Sequence, residues 1–126
     1  MSQTLIEKAL SRKAGRTVSA GEIVTLEPDR VMSHDNTAFI VKKFLRTGYT
    51  KVWNADKITI VFDHCVPAVD PAHQQNHDEA RAFVAEQGIT RFFDAGVGVC
   101  HQLMVEKGMA LPGQVILGAD SHSTLY

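Results

Sequence analysis

The run Ile58-Thr59-Ile60-Val61-Phe62 constrains this chain more than any other segment. Consecutive apolar and β-branched residues without polar alternation predict a strand, over Lys57 to Phe62, that is covered on both faces. Such a strand belongs in a parallel sheet with helices above and below it, and the flanking sequence supplies candidates for both layers.

Thr4 to Ala14 predicts a helix. Thr4 and Glu7 form a capping box, Leu5, Ala9 and Leu10 share a face, and Gly15 can end it. Glu22 to Leu26 predicts a short strand before a turn at Pro28, and Arg30 to Met32 another extended piece. Asn36 to Arg46 reads as a helix capped by Asn36 and stopped by Gly48, with Phe39, Ile40 and Phe44 or Leu45 toward the core. Asp70-Pro71 opens the next helix and Gly88 lies past its end. Its thin apolar face (Ala72, Ala80, Phe83, Val84) places it at the surface. Arg91 to Asp94 predicts a strand, Val99 to Lys107 a helix closed by Gly108, and Gln114 to Leu117 the last strand. Strands alternating with helices imply an α/β fold: a three-layer α/β/α domain on a mostly parallel sheet with right-handed crossovers. The 126 residues form one domain, 1–126, long enough to bury roughly two thirds of the unfolded surface.

A net charge of -1, with lysines and arginines scattered, gives no reason to expect nucleic acid as a partner. No apolar stretch approaches a membrane span, and Met1-Ser2-Gln3-Thr4 leads into a charged amphipathic segment, so a cytoplasmic location is expected. Cys65 and Cys100 form no Cys-x-x-Cys pair, and each is flanked by valine, which reads as a small buried hydrophobe.

Chemistry gathers where the apolar runs stop. Asp63-His64 follows the central strand, Asp120-Ser121-His122 follows the last one, and His34-Asp35 follows Val31-Met32. His101 stands just past Gly96 and Gly98. A carboxylate beside an imidazole sets its tautomer and raises its basicity, which suits acid–base work near neutral pH. Open α/β sheets build polar sites at the carboxyl ends of their strands. His73 and His77 lie four apart on one helix face, but Gln74, Gln75, Asn76 and Asp78 mark that face as solvated, and both are read as surface residues.

The runs Val31-Met32-Ser33-His34-Asp35-Asn36-Thr37, Phe62-Asp63-His64-Cys65-Val66-Pro67, Gly98-Val99-Cys100-His101-Gln102 and Gly118-Ala119-Asp120-Ser121-His122-Ser123-Thr124 occur in this order in the aconitase superfamily. Across essentially its whole length the chain resembles the first domain of its isopropylmalate dehydratase and homoaconitase branch. The resemblance implies a hydro-lyase that dehydrates and rehydrates a 2-hydroxy di- or tricarboxylate at a [4Fe-4S] cluster. By motif, Asp63 and His64 resemble the pair that protonates the leaving hydroxyl. His101, Asp120 and His122 resemble residues lining the pocket, Ser121 a substrate-carboxylate contact, and His34 a substrate-binding position.

The resemblance also implies what the chain lacks. Cys65 and Cys100 do not match the family's cluster cysteines, so no cluster ligand and no other metal ligand is assigned here. The serine base and substrate arginines belong to later domains or to a small subunit. Leu125 replaces a usually small polar residue, and the polar run that stops at Tyr126 reads as the front of a longer subunit. The expected partners are therefore the remaining large-subunit domains, a small subunit and the small-molecule substrate. No membrane partner is expected. Alternatives are a non-catalytic assembly module that keeps the fold, and a mononuclear metal hydrolase built on two histidines and a carboxylate.

Overall fold

Arg30–Ser33 (β1), Ile58–Val61 (β2), Arg91–Phe93 (β3) and Ile116–Gly118 (β4) form one sheet in the order β3-β2-β1-β4. Every pairing is parallel, with Val31 opposite Ile58 on one side and Leu117 on the other, so the sheet is wholly rather than mostly parallel among the described residues. The structure, a computed structural model, describes residues 2–125. Met1 and Tyr126, on which the readings of the two termini rest, lie outside them, as does the side chain of Leu125.

Helices cover both faces. Thr37–Arg46 (α2) and Pro71–Gln87 (α3) pack on the side of Ile60 and Phe62, where Ala80, Phe83 and Val84 meet Val41 and Phe44. Cys100–Glu106 (α4) covers the opposite side, with Leu103 and Met104 against Met32 and Val61. This period-two division of the Ile58–Phe62 run between two cores is why it carries no polar face. Leu5–Ala14 (α1) borders an open cleft with Val105, Ala110, Val115 and Ile116, and buries none of its residues fully.

Local signals explain most boundaries. Thr4 and Glu7 make the reciprocal capping box, and Gly15 closes α1 in the left-handed conformation at φ 66°. Asp70 accepts the His73 N–H ahead of Pro71, and Gly88 (φ 69°) ends α3. Gly118 is required for a different reason: a Cβ there would lie 1.8 Å from the Ser123 hydroxyl, so only glycine admits the turn at Ser123–Leu125 against β4.

Four expectations need correction. Glu22 to Leu26 is no strand; the Glu22 carboxylate accepts the Ser19 N–H and pairs with Arg16, closing a local turn, and Ile23 is 98% exposed. Phe39, at 57% exposure beneath the Lys42 ammonium, and Ile40, at 40%, point away from the core, because Thr37, Ala38, Val41 and Phe44 form the inward face of α2. Asn36 makes no capping bond with its side chain; its amide donates instead to the Ala119 carbonyl. His77 is not a surface residue: it is 2% exposed and stacks on Phe62 with ring centroids 4.2 Å apart.

The two-sided core sets the stability. Ile60→Ala is expected to cost about 3 kcal/mol in urea unfolding, whereas Ile23→Ala stays within about 0.5 kcal/mol. Equal losses at the two positions would contradict the burial described.

Candidate active site

The chain advances from β1 through β2 to β3 and then returns to place β4 on the other flank of β1. That reversal opens a crevice beyond the carboxyl ends of β1 and β4, the usual ligand position in an open parallel sheet. His34-Asp35 leaves β1 there, Asp120-Ser121-His122 leaves β4, and Asp63-His64 leaves the neighbouring β2. His101 enters from the first turn of α4. Four of the six histidines of the chain thus reach one carboxylate, that of Asp120.

Asp120 is the hub. Its Oδ2 accepts the backbone N–H of His122 at 2.7 Å and lies 2.9 Å from His101 Nε2 and 3.2 Å from His122 Nδ1. Its Oδ1 lies 3.2 Å from His64 Nε2 and 3.9 Å from His34 Nε2. The His122 N–H, ahead of the opposing effect of burial, and the His101 and His122 rings hold this carboxyl well below its ordinary range.

His64 lies between two carboxylates. Nδ1 is 2.6 Å from Asp63 Oδ1 and Nε2 is 3.2 Å from Asp120 Oδ1, an arrangement that favours the imidazolium form, in which both nitrogens donate. Burial opposes that charge, but the bond to Asp63 and the charges of Asp63 and Asp120 outweigh it, and the His64 pKa is raised. Asp63 is itself held from the far side, because its Oδ2 accepts the Cys100 N–H at 2.6 Å and so caps α4, whose own N-cap residue Val99 has no side-chain acceptor.

His34 has the opposite character. It stacks on His64 with centroids 3.9 Å apart and planes 20° apart, and its Nε2 donates to the Ala119 carbonyl at 3.1 Å. Burial first, then the neighbouring His64 charge, lowers its pKa. The stack therefore joins a charged ring to a neutral one, since two cations at this distance would repel.

The sequence reading gathers His34, Asp63, His64, His101, Asp120, Ser121 and His122, and the fold brings their backbones to one crevice. Ser121 and His122 stand at the rim; His122 is 69% exposed along its side chain, and the Ser121 hydroxyl lies 3.4 Å from His122 Nδ1. Asp35, which the sequence reading names beside His34 but gives no role, and His77, which it reads as a surface residue, complete the site's support. Asp35 Oδ2 accepts the N–H groups of Asp63 (2.9 Å) and His64 (2.8 Å), while Oδ1 accepts that of Cys65 (3.1 Å) and faces His77 Nε2 (2.7 Å). The signal was present: His77 shares a helix face with Ala80 and Val84 at offsets of three and seven.

Ligand atoms of His101, Asp120 and His122 lie within 4.8 Å of one another, a span one divalent ion could bridge. Those of His34, Asp35, Asp63 and His64 do likewise, but the Asp35 oxygens are already taken by N–H donors. Among the described residues, no helix is long and apolar enough to cross a membrane.

A family model described as the aconitase family (aconitate hydratase) matches residues 5–126. The chain is 47% identical over 128 residues to a probable 3-isopropylmalate dehydratase large subunit of Methanothermobacter thermautotrophicus. It is 47% identical over 127 residues to 3-isopropylmalate dehydratase large subunit 1 of Methanopyrus kandleri. Over 126 residues it is 44% identical to a homoaconitase large subunit of Thermus thermophilus. Each match takes in 100% of this chain and 30% of the relative, so the chain spans about a third of the length of these proteins.

The Asp35 cradle has a pH signature. Burial opposes its charge, but the N–H groups of His64, Asp63, His77 and Cys65 prevail and bring its pKa from 3.8 to about 2. The stabilisation is complete above the ordinary value and is lost as pH falls through the folded one, an effect of about 2 kcal/mol. Asp35→Asn is expected to cost about that much in urea unfolding at pH 7, with the deficit closing as pH approaches the folded pKa. A deficit that does not change with pH would contradict this account.

Proposed function

The chain belongs to the aconitase family, and from that premise we propose that it is the front part, one domain over residues 1–126, of a hydro-lyase large subunit. Its substrate is a 2-hydroxy di- or tricarboxylate such as isopropylmalate or homocitrate/homoaconitate. The observation that carries the reading is the His64 ring set between the Asp63 and Asp120 carboxylates in the switch-point crevice.

Removing water from such a substrate asks for an acid at the departing hydroxyl and a base at the neighbouring carbon. His64 serves as the acid. Asp63 fixes its Nδ1–H and aims the ring, and Asp120 holds the Nε2–H at a length of 3.2 Å that an incoming hydroxyl can displace. His101 and His122 keep the Asp120 carboxylate in place from the other side. His34, neutral with its Nε2–H on the Ala119 carbonyl, does not compete for the proton, and Ser121 at the rim meets a substrate carboxylate.

The family's [4Fe-4S] cluster, which binds substrate carboxylate and hydroxyl, finds no fitting ligand here. Cys100 is 0% exposed, and burial together with the Asp63 carboxylate pushes its thiol up to about 12. Burial, then the charges of Asp35 and Asp70, raise the Cys65 thiol as well. The chain has 2 cysteines, whereas such a cluster is held by about four thiolates. The cluster cysteines, the carbon base and the anion-binding arginines are assigned to the rest of the large subunit and to a small subunit.

A second reading, an assembly module without chemistry of its own, draws support from the apolar groove where Ile40, Trp53 and Leu117 are exposed beside β4. One assay separates the two. Combined with the remaining parts of the enzyme and reconstituted anaerobically, the chain is expected to support dehydration of isopropylmalate or homocitrate. His64→Gln is expected to lower kcat by roughly 10²- to 10⁴-fold. A His64→Gln enzyme with undiminished kcat would favour the module. The isolated chain is expected to show no turnover, because half a site cannot position substrate, base and Lewis acid together.

A further inference from the structure

We propose that His77, buried on α3 in the wall behind His34 and His64, is a positioning residue that aims His64 by clamping the Asp35 carboxylate on which the Asp63–Cys65 backbone hangs. The inference rests on the reading of His64 as the acid. It adds a residue on α3 that acts through Asp35, its hydrogen-bond partner.

The argument is one of saturation. A carboxylate offers about four acceptor sites. The Asp35 carboxylate receives four donors: three consecutive peptide N–H groups and His77 Nε2. The three peptides form the turn that leaves β2, and their orientation sets where the His64 side chain starts. Among the described residues only Asp35 engages all three, so its position fixes the turn. Asp35 in turn is held by His77 at 2.7 Å, the shortest of the four contacts.

The His77 ring has little freedom. It is stacked on Phe62 at 4.2 Å with planes 16° apart, and the Arg81 guanidinium lies 5.4 Å from the same Phe62 ring. Facing an ionised carboxylate, Nε2 must carry its hydrogen. A ring present only to fill space beneath Phe62 would have no need of that hydrogen, and phenylalanine would replace it.

The test uses NMR on the isotopically labelled chain. The wild type is expected to show His77 as the Nε2–H tautomer, with through-hydrogen-bond couplings from the amides of Asp63, His64 and Cys65 to the Asp35 carboxylate. His77→Phe keeps the stack and loses the donor, and is expected to speed amide exchange at these three residues by about tenfold or more while β1 and α4 stay protected. His77→Gln restores an N–H and is expected to recover most of the protection. The opposite tautomer, missing couplings, a silent His77→Phe or a His77→Gln that behaves like His77→Phe would each overturn the proposal. The wild-type spectra decide it even if a variant fails to fold. None of these readouts depends on turnover, so failure of the hydro-lyase reading would appear separately, in the assembled enzyme.

Discussion

The ionised carboxylate of Asp35 ties together three parts of the chain that are far apart in sequence. It sits at the end of β1, gathers the peptide N–H groups that follow β2, and meets a side chain from α3. Burying a charge is costly unless it is paired and hydrogen-bonded, and here the cost is met by four donors on a single group. Much of the geometry of the crevice follows from that arrangement. The turn after β2 places Asp63 where it can cap α4, and α4 brings His101 to Asp120.

The charge distribution is asymmetric by construction. Two of the carboxylates face His64 and hold it as a cation, while His34, against its flat face, donates to a carbonyl and stays neutral. An acid site needs one proton donor and surroundings that do not compete with it. Stacking a neutral imidazole on a charged one supplies polarisable contact without a second labile proton at the same spot.

Much of the frame could be read from the residues. The uninterrupted run at Ile58–Phe62 announced a parallel sheet covered on both sides, and Thr4, Asp70, Gly15 and Gly88 marked helix ends, because caps are local chemistry. The histidines and aspartates at the strand ends were legible for the same reason, since a polar pair ending a buried strand must face a crevice. What escaped was decided at a distance. His77 looked solvated because its sequence neighbours are polar, yet its helical neighbours Ala80 and Val84 face the core, and its partner lies 42 residues away. Asn36 reads as a cap until the Ala119 carbonyl, 83 residues on, claims its amide. Glu22 to Leu26 alternates like a strand but has no neighbour with which to form a ladder.

The strand order has a kinetic meaning as well as a geometric one. β1, β2 and β3 are laid down in succession, each beside the last, and can pair as the chain collapses. β4 must return past two of them to reach β1, so Ala119 meets His34 across 85 residues. Loop-closure entropy makes such a contact slow to form compared with its neighbours. The carboxylate to which four histidines turn is therefore among the last groups to arrive. Until it does, His64 has Asp63 alone as its anionic partner, and the proton it carries is held less tightly. Arrival of Asp120 completes the set of groups around the His64 ring.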